Sequence, residues 1–178
     1  MTTRAGQLRT AVKLAGASAL ALGLVVAAAS PAAAGPGFRG AVVTGEDSAG
    51  NKARARGGCV RGANGGGCAG GATTRSADGA VNHSSGFATS GDRGSATSYG
   101  GFTRSADGSI SGGRNTNVST ERGSYSGSTS YSDGSAERNA TWSNDQGSAE
   151  VSSSWSREDG YSRSVTCRDA SGEVVACP

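Results

Sequence analysis

From Ala72 onward, small or apolar residues alternate with polar residues at every second position, which is the side-chain period of a β-strand. The alternation is clearest in three segments, residues 125–131, 136–142 and 149–156. In the last segment one face carries Ala149, Val151, Ser153 and Trp155. These segments are therefore predicted to be strands with two chemically different faces.

Short turn sequences separate the alternating segments, and in each a glycine follows an acidic residue directly or after one intervening residue. They recur at short, nearly regular intervals, with their glycines at Gly79, Gly94, Gly108, Gly123, Gly134, Gly147 and Gly160. Glycine accepts positive φ and aspartate bonds to the local backbone, so these sequences favour hairpin turns. Ser, Thr, Gly and Asn dominate the chain here and are poor helix formers. The sequence thus predicts an all-β fold, either a repetitive antiparallel hairpin meander or a β-solenoid-like sheet.

An internal repeat underlies this pattern. The sequence Thr-Arg-Ser-Ala-Asp-Gly at residues 74–79 returns unchanged at residues 103–108. We predict a β-repeat region over residues 72–161, followed by a C-terminal Cys-containing strand segment at residues 162–178. The predicted units are residues 74–102, 103–131 and 132–157, the last being three residues shorter than the others.

The repeat region is poor in large apolar side chains, with twelve of them between Thr74 and Tyr161. These are too few for a two-layered sandwich with a full core, because apolar burial must offset the conformational entropy lost on folding. We therefore predict a sheet with a thin core. Its hydrogen-bond ladder and disulfides would stabilise it, or assembly with other copies would; substantial disorder is the third alternative.

Residues 1–34 have the features of a secretory signal peptide. Three basic residues precede an uncharged apolar run over residues 14–30, and an Ala-rich cleavage site follows it. Residues 35–71, rich in Gly, Ala and Arg, are predicted to form a flexible leader. No stable membrane span is expected after signal cleavage. The mature protein is expected to be secreted, extracellular or attached to the cell surface, or periplasmic in a Gram-negative host.

The charge balance predicts no nucleic-acid partner. Three of the 17 Lys and Arg lie in residues 1–34, so 14 remain against 14 Asp and Glu, and the mature chain is formally neutral. One local basic cluster contains Lys52, Arg54, Arg56 and Arg61. Such a cluster could hold phosphate or an acidic polysaccharide, although we favour its interpretation as a solvated segment.

Four cysteines in an exported chain predict disulfides, because the compartments outside the cytosol are oxidising. The spacing favours two local pairs, Cys59 with Cys68 and Cys167 with Cys177. The alternative pattern joins the N-terminal to the C-terminal cysteines. A zinc site is disfavoured, because C-x8-C and C-x9-C do not match the tight spacing of metal-binding cysteines.

No constellation of residues predicts catalysis or a cofactor. His83 is the only histidine, and its polar, turn-like surroundings favour an exposed side chain without a chemical role. The turn carboxylates fall short of the ligand sets that calcium requires. We therefore assign no catalytic residue, no metal and no cofactor.

Aromatic side chains provide the candidate binding residues. Phe102 and Tyr131 occupy equivalent positions in two repeats, and Trp142 and Trp155 follow thirteen residues apart. A row of exposed rings among Ser, Thr and Asn would suit stacking against sugar rings. The alternative, which the sequence favours, is that these few rings form the only available core.

These features predict an exported, non-enzymatic β-repeat protein of the bacterial cell surface or extracellular matrix, structural or adhesive, because repetition multiplies a weak binding surface. The alternatives are a secreted carbohydrate-binding module and a self-assembling fibre subunit. The chain is similar to curli-type amyloid subunits in being exported, Gly-rich and repeated. It departs from them in its four cysteines and in having Gln146 as the only glutamine after residue 34. The expected partners are extracellular polysaccharide or other copies of the chain.

Overall fold

The computed structural model describes residues 37–177, so the predicted signal peptide lies outside the described residues. The chain forms one open antiparallel sheet in which eleven strands follow each other in sequence order. The strands are β1 (Gly37–Glu46), β2 (Lys52–Gly62), β3 (Gly65–Arg75), β4 (Val81–Gly91), β5 (Gly94–Arg104), β6 (Ile110–Thr120), β7 (Gly123–Ser132), β8 (Ser135–Asn144), β9 (Gly147–Ser156), β10 (Gly160–Asp169) and β11 (Val174–Val175). The all-β prediction is confirmed, and of its two forms the structure shows the hairpin meander.

Four hairpin loops of five residues share one backbone structure, at residues 47–51, 76–80, 105–109 and 169–173. The first residue of the last loop, Asp169, is also the final residue of β10. In each, the N–H of the first residue donates to the carbonyl of the fifth, and the N–H of the fourth donates to the carbonyl of the first. The fourth residue is always a glycine with a φ between 82° and 94°. This positive φ explains why glycine recurs at that position.

Four turns of two residues connect β2 to β3, β4 to β5, β6 to β7 and β8 to β9. Each is followed by a glycine with φ between 130° and 145°, namely Gly65, Gly94, Gly123 and Gly147. A Cβ atom at Gly94 would stand 2.1 Å from the carbonyl oxygen of Ser119 on the neighbouring strand. Glycine is therefore required both by the backbone angle and by the close approach of the next strand.

The turn between β7 and β8 is the tight Asp-Gly hairpin turn that the sequence predicts. Asp133 and Gly134 are its only two residues, and both have positive φ, 30° and 89°. Their backbone twist matches the twist of the flanking strands, which is why such turns occur in two-residue hairpins. This turn is three residues shorter than the equivalent loops of the earlier repeats.

The repeat begins one unit earlier than the sequence suggests. The loop at residues 47–51 is followed by β2, the loop at residues 76–80 by β4, and the loop at residues 105–109 by β6. These three loop–strand pairs are equally spaced along the chain. Strands β1 and β2 and most of β3 therefore lie in residues 35–71, where the sequence predicted a flexible leader. The glycines and alanines of this stretch have low strand propensity, which hides the pattern. Pairing with β4 and the bridge between Cys59 and Cys68 supply the order instead.

The sheet is a single layer. The backbone of each described strand lies beside only the strands that precede and follow it in sequence, so nothing in residues 37–177 packs across either face. Among residues 37 and 40–177, only Ala140, Cys167 and Ser98 are buried. The thin core is thus confirmed, and a ladder of backbone hydrogen bonds joins consecutive strands. The described residues include no helix that could span a membrane.

Both predicted disulfides are confirmed. Cys59 and Cys68 are directly opposite each other on β2 and β3, and Cys167 on β10 reaches Cys177 beyond β11. Each bridge closes a local hairpin at one end of the sheet. The alternative connection between the two ends is therefore not formed.

Candidate functional site

The two faces of the sheet differ in chemistry. Residues directly opposite each other in an antiparallel ladder point to the same face, so the register assigns every side chain. Eleven of the twelve larger apolar side chains between Thr74 and Tyr161 fall on one face, hereafter the aromatic face: Val81, Phe87, Phe102, Ile110, Val118, Tyr125, Tyr131, Trp142, Val151, Trp155 and Tyr161. Tyr99 is the twelfth and lies on the opposite face. No described layer covers the aromatic face.

One line of directly paired residues crosses the aromatic face at right angles to the strands. We define its five ring-bearing residues as the aromatic row: His83, Phe102, Tyr131, Trp155 and Tyr161. Only small residues interrupt the row, one on β6 and one on β8. It therefore extends from β4 to β10, a length of about 29 Å at the usual strand spacing.

Gly112 is the small residue of the row on β6. A Cβ atom at this position would stand 2.5 Å from the Tyr131 hydroxyl and 2.4 Å from the Gly101 carbonyl oxygen. The absence of a side chain at Gly112 therefore lets the ring of Tyr131 lie across β6. A glycine here positions an aromatic ring of the neighbouring strand.

His83 differs from the sequence prediction, which made it exposed and without a role. Its side chain is half-buried, and Nδ1 lies 2.8 Å from the hydroxyl of Thr73. Its ring lies 5.4 Å from the ring of Phe102, centroid to centroid. These contacts follow from the register, which places all three residues in one line across the sheet.

The predicted aromatic candidates lie together on this face, although in two lines. Phe102, Tyr131 and Trp155 belong to the aromatic row. Trp142 lies nearer the opposite ends of the strands and packs against Tyr125, with ring centroids 5.1 Å apart. Tyr131, Trp142 and Trp155 are 37%, 43% and 45% exposed, so they do not form a closed core.

A row of arginines lies two positions further along the strands on the same face. We define it as the arginine row: Arg56, Arg114, Arg138 and Arg163. Arg114 donates from Nη1 to Ser98 at 3.0 Å and from Nη2 to Ser85 at 2.8 Å, which holds its guanidinium against the sheet. All four side chains are exposed.

Positive charge is concentrated on the aromatic face, although residues 35–178 are formally neutral. Eight of its cations lie there: Lys52, Arg54, Arg56, Arg75, Arg104, Arg114, Arg138 and Arg163. Of the strand carboxylates in residues 37–177, Glu137 and Glu150 point to the opposite face, and Glu46 and Asp169 stand at strand ends. The other acidic residues are in the loops. Net charge alone therefore conceals a basic surface.

The arginine row continues into an open hollow above β1 to β6. Glycines and Ala69 are among the residues that line it, and its cavity volume is about 930 Å³. Arg54, Arg56 and Arg114 line it together with His83. The basic cluster found in the sequence is thus divided, because Arg61 points to the opposite face while the other three cations share this one.

The opposite face is a hydrogen-bonded surface of serine, threonine and asparagine. Cross-strand pairs include the hydroxyl of Thr103 with the amide oxygen of Asn82, at 2.8 Å, and Ser126 with Asn117, at 3.0 Å. Tyr99 is the one aromatic ring on this face in residues 37–177, and it is 58% exposed. This face offers no second row of rings.

The aspartate carboxylates of the loops accept hydrogen bonds within their own turns. A side-chain hydrogen bond from Asn51 lowers the pKa of Asp47, and the backbone N–H of Ser109 lowers that of Asp107. Hydrogen bonds from the hydroxyls of Ser76 and Ser171 lower the pKa values of Asp78 and Asp169. Within the described range, no three His, Cys, Asp or Glu side chains form a group that could hold a metal ion.

Comparison with known proteins gives no relative: no protein-family model, curated protein or solved structure matches the chain. Function is therefore inferred from the aromatic face. Arg114, Arg138 and Arg163 are the residues that sequence reasoning missed. Each stands two residues from a position of the aromatic row, as Arg163 does from Tyr161, and this spacing is the signal that could have found them.

Proposed function

We propose that the protein is an exported, non-enzymatic adhesive protein whose aromatic face binds extracellular polysaccharide. The observation that supports this most strongly is the alignment of Phe102, Tyr131 and Trp155 in one line on an uncovered face. Aromatic rings present flat apolar surfaces on which the C–H faces of sugar rings can stack. A line of such rings suits a long, unbranched chain.

Partial exposure of the rings supports the same assignment. Each ring rests on the sheet over part of its surface and leaves the remainder accessible, as the 45% exposure of Trp155 illustrates. Hydroxyls surround the row, among them those of Thr73 and Thr129 on the same face. They are suited to hydrogen bonding with sugar hydroxyls. Stacking and hydrogen bonding together are what a sugar surface requires.

We assign no reaction to this face. His83 already bonds to Thr73, and the strand carboxylates lie at strand ends or on the opposite face. General acid–base hydrolysis of a glycosidic bond needs two carboxyl groups on either side of that bond. The aromatic row has no such pair, so binding without turnover is the function proposed.

The two disulfides indicate an oxidising, extracellular-type environment. Extracellular polysaccharide would be accessible to a protein in that location. An adhesive role also suits a repeated sheet, because several weak contacts along one polymer add up to useful retention. Cell-surface or matrix attachment is therefore part of the proposal.

Retention on immobilised polysaccharides tests the proposal. The double variant Tyr131→Ala, Trp155→Ala should lose retention on the polymer that holds the unaltered protein. Tyr99→Ala is the matched control, because Tyr99 is an exposed ring on the opposite face. Far-UV circular dichroism would show that all proteins retain strand structure. Failure of the unaltered protein to bind any polymer, or an equal loss with Tyr99→Ala, would contradict the proposal.

A second candidate function is edge-to-edge assembly into a fibre. No described strand pairs with the outer side of β1, and β11 pairs only with Cys167 and Arg168 of β10. Free strand edges are templates for pairing with another chain. The ten long strands alternate in direction, so β1 of a second copy could continue the antiparallel order after β10. Sedimentation that is independent of protein concentration would exclude this role.

A further inference from the structure

We infer that the polysaccharide is acidic, with a uronic acid on every second sugar, and that it lies across the strands between the aromatic row and the arginine row. This inference rests on the proposed function and adds to it the chemical class of the ligand. It follows from three observations on the aromatic face: the period of the rings, the period of the arginines, and the absence of interior carboxylates among the described strands.

The rings recur on alternate strands in the centre of the sheet. Phe102 is on β5, Tyr131 on β7 and Trp155 on β9. Alternate strands are separated by about 9.5 Å, twice the ordinary strand spacing. This distance is close to the length of two linked pyranose rings in an extended β-linked chain. One sugar in every two can therefore stack on a ring.

The arginines recur with the same period, displaced by one strand. Arg114 is on β6, Arg138 on β8 and Arg163 on β10. Arg114 and Arg138 each lie between two strands that bear rings, whereas Arg163 shares β10 with Tyr161. All three stand about 7 Å from the aromatic row measured along the strand. An arginine side chain can cover that distance. Sugars that do not stack are thus the ones that face a guanidinium.

The guanidinium groups suit carboxylates in particular. Arginine presents paired N–H donors in a planar fork that matches the two oxygens of a carboxylate. Arg114 is already oriented by Ser85 and Ser98 and keeps further N–H donors free. Glu137 and Glu150 point to the opposite face and cannot neutralise the row. A polymer with one carboxylate for every two sugars would match both periods.

Two other occupants fit this face less well. A second copy packed face to face would bring the two arginine rows together, and like charges in contact are unfavourable. Single-stranded nucleic acid can also combine stacked bases with bound phosphates. However, its nucleotides follow each other more closely than the rings of alternate strands. The spacing therefore favours the polysaccharide.

Titration calorimetry with hyaluronate, which alternates a uronic acid with a neutral sugar, tests this inference. Its carboxyl-reduced form is the matched neutral ligand, and an oligothymidylate is the nucleic-acid ligand. We expect hyaluronate to bind at least tenfold more tightly than either. The double variant Arg138→Gln, Arg163→Gln should lose about tenfold in affinity for hyaluronate, corresponding to roughly 1.4 kcal/mol. The control is the double variant Arg61→Gln, Arg93→Gln, which removes two positive charges that do not lie on the aromatic face. This variant should bind hyaluronate as tightly as the unaltered protein does.

The outcomes separate this inference from the proposed function. Equal affinity for hyaluronate and its reduced form, with sensitivity only to Tyr131→Ala, would overturn the acidic assignment and leave sugar binding intact. If both arginine double variants lost the same affinity for hyaluronate, net charge would explain the loss. That result would overturn the arginine row as the binding element. Tighter binding of the oligothymidylate would replace the polysaccharide with nucleic acid. No binding of either form of the polysaccharide would overturn both the inference and the proposed function.

Discussion

Replacing Gly94 with alanine should destabilise the sheet more than the same replacement at Gly108, a second glycine of positive φ. Gly94 has a φ of 130°, and its Cβ would stand 2.1 Å from the carbonyl oxygen of Ser119 and 2.9 Å from Cα of Thr120. The backbone strain costs about 1–3 kcal/mol. The collision with backbone atoms of β6 adds about 1–3 kcal/mol, because β5 and β6 must move apart.

Gly108→Ala is the matched control for that prediction. Gly108 also has a positive φ, 91°, but nothing lies within 4 Å of its Cβ position, so only the strain remains. Urea unfolding followed by far-UV circular dichroism should show a free energy of unfolding about 2 kcal/mol lower for Gly94→Ala than for Gly108→Ala. Equal destabilisation by the two substitutions would refute the close approach of β5 and β6 at this turn.

Three further predictions concern the bonds that hold the single layer together. Replacing Cys59 and Cys68 with serine should lower the free energy of unfolding by about 2–3 kcal/mol, measured by urea denaturation, because a short loop in the unfolded chain is no longer closed. Ser98→Ala should cost about 1–2 kcal/mol in the same assay, since Thr116 and Arg114 lose their buried hydrogen-bond partner; an unchanged midpoint would contradict this. The loop aspartates have lowered pKa values in the folded protein, so their contribution to stability persists at neutral pH and is lost as pH falls through those values, below the ordinary carboxyl pKa of about 4. An NMR titration of the Asn51 and Ser109 amides should show this, and apparent pKa values above about 4 would refute the turn hydrogen bonds.

Local patterns made the strands of the repeat region predictable. The alternation in residues 136–142 and 149–156 correctly placed Trp142 on the same face as Ala140, and Trp155 on the same face as Val151. The turn glycines, including the Asp133-Gly134 turn, also follow from local chemistry. Such features depend on a few neighbouring residues, and the sequence shows them directly.

Features that depend on the pairing of distant residues were harder to predict from the sequence. Phe102 and Trp155 are distant in the sequence, and only the register of the consecutive strands from β5 to β9 places them in one line. A shift of one residue in any pairing would move a side chain to the other face. Strand β2 was missed for a different reason: its alternation of basic residues with alanine covers only residues 52–56 before glycines follow, and its order depends on its partners. Turn lengths determine the register, but they became known only with the fold.

The aromatic face should be uncovered in the free protein and become covered when polysaccharide binds. Acrylamide quenching of tryptophan fluorescence in the Trp142→Phe variant, with and without hyaluronate, tests this most directly, because Trp155 is then the only tryptophan. We expect efficient quenching in the free protein, consistent with 45% exposure, and clear protection when hyaluronate is added. A Trp155 that is already shielded in the free protein, or one that hyaluronate leaves equally accessible, would contradict the proposed binding face.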